Sequence, residues 1–359
     1  MSIRGETDMI KDIDKTIFIH SSFRTSSTWL WSKFRNLPST VSYYEIFNDG
    51  LKSIDLKAAS SISGSCWKSN HPVAASYFIE YLPIIKAGGG VEGFDSCMSI
   101  ENFIPVDGFH GDLSLGEKGY LERLIQLARA NRKIPVLTCT RTLGRMQAIK
   151  NSFSGTHVFL HRNIFHQWAS YSRQAVYGNP YFIEMTEEII KLSRHDKFIS
   201  MIDDWHHSRT PSPYDESFFS AFILLHLYLY ANAYDTADLV IDATALARDV
   251  NLRSSVEQEL SEMVGSRVDL SDAYSNFELS VVDVQSHQSF IDSINQFTKI
   301  IAAYCRTEKS AQFIETMKND ALEEWQRHEF YAQKSRSFFT DKLAECEKDP
   351  EQEAESVES

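Results

Sequence analysis

KTIFIHSSFRTSSTWLWSKF, residues 15–34, holds an apolar run, a cluster of hydroxyls around one arginine, and two tryptophans. Thr16–His20 has the composition of a short buried strand, and Thr28–Arg35 opens a helix whose inward stripe is Leu30, Phe34 and Leu37. Ser21–Thr28 is then a loop joining strand to helix. In an open α/β sheet such loops lie at the carboxyl ends of the strands, where the first amides of the next helix attract anions. Ser and Thr there are suited to cap the helix and donate to an anion, while Arg24 supplies a fixed positive fork.

Three more runs read as buried strands: Val136–Thr140, His157–His161 and Asp238–Asp242. Helical spacing fills the segments after them, as in EKGYLERLIQLARANRK and IFHQWASYSRQAV. Short strands alternating with helices predict an α/β fold with a parallel sheet covered on both faces. The stretch between the first two expected strands is too long for one crossover. It is expected to hold a mainly helical, substrate-covering insertion over residues 50–130, and the C-terminal part reads as mainly helical. One domain is expected over residues 1–340, followed by a disordered tail over 341–359 that carries eight acidic and two basic residues.

The 359 residues are 43% hydrophobic and 24% charged, enough apolar material for a large core. A formal charge of −13 argues against nucleic acid or an anionic membrane as partner, since phosphate backbones require a basic face. No run of eighteen uncharged apolar residues is present; FFSAFILLHLYLYANAY carries His226 and reads as a buried helix. Five scattered cysteines without a CxxC pair fit reduced thiols, and the chain is expected to be cytoplasmic.

The loop at 21–28 is not a nucleoside-triphosphate P-loop. No glycine stands between Gly5 and Gly50, and no Lys-Ser or Lys-Thr pair opens the helix. FRTSSTWLW resembles instead the phosphosulfate loop of sulfotransferases that use 3′-phosphoadenosine 5′-phosphosulfate (PAPS). On that resemblance Arg24 takes the basic position, Thr25, Ser27 and Thr28 the hydroxyl positions, Trp29 the aromatic one, and Ser26 stands where the family has glycine. A second motif agrees: VFLHRNIFHQWASYSRQ places Arg162 at a strand end and Ser170 eight residues later, as the family does for the 3′-phosphate. Eight residues are about two helical turns, which lets a strand-end guanidinium and a helix-borne hydroxyl converge on one phosphate. PVLTCTRTLGRMQAIKNSF and the segment from Asp238 to Gly265 are looser likenesses, and no Arg-Lys-Gly loop follows them.

The resemblance implies a P-loop-NTPase-like parallel sheet, PAPS as co-substrate without a metal, and transfer to a hydroxyl of a glycan or small-molecule acceptor. Arg24 would stabilise charge at the bridging oxygen, and Glu45 in VSYYEIFND would be the base, with His71 and His110 as rivals. Two other readings stay open, a kinase-like phosphotransferase and a catalytically inactive binding protein of the same fold. Gly88, Gly90 and Gly93 match G-x-G-x-x-G but lack the strand before and the helix after, so a loop is expected there. His157 and His161 share one side of a strand, where packing is the simpler role, and Trp168 reads as core or pocket wall.

Overall fold

The structure is a computed structural model that describes residues 15–64, 76–206, 211–275 and 280–348. His71 therefore lies outside the described residues. Five strands, β1 (Ile17–Ser21), β2 (Thr40–Tyr43), β3 (Ile134–Cys139), β4 (Thr156–His161) and β5 (Leu239–Asp242), form a sheet in the order β2-β3-β1-β4-β5. Every pairing is parallel. The four expected strands are present, with ends displaced by at most two residues. β2 was not expected: TVSY is only four residues long, half polar, and has no continuous apolar run to mark it.

The strands are linked by helices α1 (Ser27–Arg35), α2 (Leu56–Ser61), α3 (Leu115–Ala130), α4 (Met146–Ser152), α5 (Ile164–Val176), α6 (Tyr181–Leu192), α7 (Lys197–His206) and α8 (Glu216–Thr236). After β5 come α9 (Ala243–Arg248), α10 (Val250–Val264), α11 (His287–Ala302) and α12 (Glu308–Lys348). The long connection between β2 and β3 holds α2, several 3₁₀ turns and then α3. Ser114 and Glu117 form a capping box that starts α3. Gly89, Gly90 and Gly93 are left-handed, and the turn they form is pinned by the Gly90 and Val91 amides to the carbonyls of Ile54 and Leu51. The last helix continues through residues 341–348, which the sequence assigns to the tail; Glu, Lys, Ala and Leu there are good helix formers.

Period-two alternation divides the strands between two cores. Ile17, Ile19, Val136, Val158, Leu160 and Ile241 face α1 (Leu30, Phe34) and α10 (Val256, Leu260, Val264). Phe18, Leu137 and Cys139 face α3 through Leu121, Leu124 and Ile125, while Phe159 joins a third cluster centred on α5 and α8. α8 is buried along nearly its whole length, as an all-round apolar helix must be. Among the described residues no helix is long and apolar enough to cross a membrane.

Several polar groups on the second face form a chain. Thr142 donates to the Cys139 carbonyl at 3.2 Å, so its oxygen accepts from His20 Nδ1 at 2.9 Å, and His20 Nε2 accepts from His157 Nδ1 at 3.0 Å. His157 Nε2 is left buried without a partner. Burial keeps both imidazoles neutral, lowering His157 to about 4 and His20 well below the usual value.

Candidate active site

β1 ends at the carboxyl edge of the sheet between β3 and β4, and the chain then turns into α1. The turn is braced from two helices. Ser22 Oγ donates to His226 Nε2 (2.8 Å), whose Nδ1 donates to the Phe222 carbonyl (2.8 Å). The Phe23 carbonyl accepts from Gln167 Nε2 at 2.7 Å and from the Tyr171 hydroxyl at 3.3 Å. Thr25 Oγ1 donates to the Ser22 carbonyl at 2.8 Å. Burial holds His226 neutral, pushed down to about 4, so it serves as an acceptor for Ser22.

Within this frame Arg24 (φ 63°) and Ser26 (φ 68°) are left-handed, while Thr25 and Ser27 are not. Alternating hand is the backbone pattern that turns successive N–H groups to one side, and the first amides of a helix lack intrahelical partners, so the loop has the form of an amide concavity. Ser26 is the residue before α1 but makes no side-chain cap, contrary to the capping role expected of these hydroxyls. Its left-handed backbone spends the position on amide direction instead. Left-handed backbone costs a non-glycine residue ~1–2 kcal/mol. Of the four non-glycine residues with positive φ among those described, three are Arg24, Ser26 and Glu45, a clustering typical of functional sites.

The two motifs meet. Arg24 Nε donates to Ser170 Oγ at 2.9 Å, and Arg162 Nη1 donates to the Arg24 carbonyl at 3.3 Å. Ser170 is fully buried on α5, Arg162 is 9% exposed, and the Arg24 guanidinium lies 5.5 Å from the Phe182 ring. Asn163 positions α5 by accepting from the amides of Phe165 and His166. Because Ser170 accepts from Arg24, its own proton is free to be donated to an anion. Thr28 Oγ1 hydrogen-bonds the Tyr44 hydroxyl at 3.0 Å. Trp29 is placed elsewhere: its Nε1 donates to Asp272 at 3.0 Å, beside the Lys33–Asp272 ion pair.

Glu45 follows β2 and is 4% exposed. Its Oε2 accepts from the Thr140 amide (3.2 Å), Thr140 Oγ1 (2.7 Å) and Arg141 Nη1 (2.9 Å). Burial raises the carboxyl above its ordinary value, while Arg141 and Thr140 pull it back. All the strong hydrogen bonds converge on one oxygen, so Oε1 is available to take a proton. Arg141, buried just after β3, also donates through Nη2 to Tyr181 at 2.6 Å and to Asp49 at 3.3 Å, and its guanidinium lies 5.0 Å from the Phe23 ring. The sequence likeness in PVLTCTRTLGRMQAIKNSF includes the arginine after this strand, Arg141, but assigned it no role. His110 sits exposed in the insertion, next to Phe109, whose ring packs on Tyr228. Trp168 is core, with Nε1 on Ser280 at 3.1 Å.

Among the described residues no group of three or more His, Cys, Asp or Glu is arranged to hold a metal ion. No family model matches the chain, and no curated protein matches it. Among solved structures, the sulfotransferase domain from the Synechococcus PCC 7002 olefin synthase is similar, with 13% identity, a TM-score of 0.33, and coverage of 84% of this chain and 94% of that one. At that identity and score the likeness identifies no family.

Proposed function

We propose that the protein is a sulfotransferase that moves the sulfuryl group of PAPS onto a hydroxyl of a glycan or small-molecule acceptor. The observation that carries this reading is the Arg24–Ser170–Arg162 cluster, built from residues far apart in sequence and seated beside an amide concavity at the carboxyl edge of the sheet. Two anion-binding parts that adjoin suit a nucleotide with phosphate at both ends of its ribose. The amides of residues 25–28 and Arg24 would hold the phosphosulfate, and Ser170 with Arg162 the 3′-phosphate.

The chemistry needs little more than position and charge. An acceptor oxygen forms a bond to sulfur as the bridging S–O bond breaks, and the leaving group departs as 3′,5′-adenosine bisphosphate. Arg24 offsets the negative charge that develops on the bridging oxygen. Glu45 Oε1 takes the acceptor's proton, its other oxygen being anchored to Thr140 and Arg141. Calorimetry tests the reading: 3′,5′-adenosine bisphosphate should bind with a stoichiometry of one, and magnesium ATP far more weakly. A preference for magnesium ATP would favour a phosphotransferase instead.

A further inference from the structure

We propose that Arg141 is a positioning residue that ties Glu45 to the anion loop and supplies the positive charge beside its carboxylate. This rests on the sulfuryl-transfer reading for its catalytic meaning, and on geometry for the rest. The strand order puts β3 between β2, which leads to Glu45, and β1, which leads to the loop. Arg141, two residues beyond β3, spans that gap. One edge of its guanidinium binds Glu45, the other binds Tyr181 and Asp49, and its face lies near the ring of Phe23 in the loop. Three segments of chain besides its own therefore meet on one side chain.

Among the described residues no other group near Glu45 does the same work. The phenols of Tyr44 and Tyr181 and the thiol of Cys139, raised by burial to about 12, are neutral at ordinary pH. Asp49 is an anion, but its side chain is 63% exposed and water screens it. Among the described residues Arg141 is thus the cation beside a carboxyl that burial pushes toward its protonated form, and a protonated Glu45 cannot take the acceptor's proton.

The test is a ¹³C titration of the Glu45 carboxyl, assigned with Glu45→Gln, alongside the pH dependence of 3′,5′-adenosine bisphosphate release from PAPS. Arg141→Gln should raise the titration midpoint by at least about one pH unit, a tenfold gain in proton affinity, and move the acid limb of the rate with it. Arg141→Lys keeps the charge without the fork, so its midpoint should stay near that of the parent while the rate falls at least about tenfold. An unmoved midpoint in folded Arg141→Gln, or a full rate in Arg141→Lys, overturns the proposal. If the parent protein fails to bind the bisphosphate, the functional reading falls, and the titration still decides whether Arg141 controls Glu45.

Discussion

Arg24 and Ser170 stand 146 positions apart in the chain, and a 2.9 Å hydrogen bond from Nε to Oγ joins them. The bond ties the loop after β1 to the middle of α5 and sets the direction of the serine proton. Ser170→Ala removes both the acceptor for Arg24 and the donor to an anion. It should weaken 3′,5′-adenosine bisphosphate binding about tenfold, and Arg162→Ala more, since a charged donor is worth roughly twice a neutral one. Calorimetry reads both, and unchanged affinity in Arg162→Ala removes that residue from the phosphate site.

Ser26→Gly should stabilise the protein. Its φ of 68° is strained for serine and free for glycine, against which glycine loses more entropy on folding. The balance is a gain of up to about 1 kcal/mol, or about 2 °C in melting temperature. A lower melting temperature would show that the serine hydroxyl does more than the backbone strain costs.

Glu45→Gln keeps the size of the side chain and removes the proposed base. Turnover should fall by at least about a hundredfold while bisphosphate affinity stays within about threefold, because no residue assigned to the nucleotide depends on the carboxylate. Comparable loss of both would make Glu45 a structural partner of Arg141 only.

Acid should destabilise the fold through its buried imidazoles. His157 and His226 are depressed to about 4 from 6.5, so the unfolded chain binds more protons between those values and stability falls as pH drops through that window. Each group contributes at most about 3 kcal/mol across it. Raised carboxyls such as Glu45 act in the opposite direction, so the informative quantity is a difference. His226→Gln should flatten the dependence of melting temperature on pH between 6.5 and 4.5; an identical slope would mean that His226 is not held neutral.

Much of the site could be read from the sequence because its parts sit at fixed offsets from strand ends. Thr16–His20 and His157–His161 are apolar enough to mark themselves, and Arg24, Arg162 and Ser170 were picked out by the likeness of the segments after them to sulfotransferase motifs. β2 gave no such mark, so the register of Glu45 was out of reach. Gln167, Tyr171 and His226, which brace the loop, lie on helices whose inward faces look the same whether they pack on lipophilic neighbours or on a carbonyl. Arg141 had a local signal, but its partners come from β2, α6 and the loop after β1, and only the strand order brings them together.

The pairing of β3 has a consequence for mutational tolerance. Val136 stands opposite Ile17 and Cys139 opposite His20, with Leu137 opposite Tyr43 on the other side. A slip of one residue would turn Leu137 and Cys139 to the opposite face and bring Thr140 or Thr142 to the place of Arg141. Length changes in the long crossover before β3 are absorbed at the surface. A single insertion or deletion inside Ile134–Cys139 would separate Glu45 from the loop after β1 while leaving every residue of both intact.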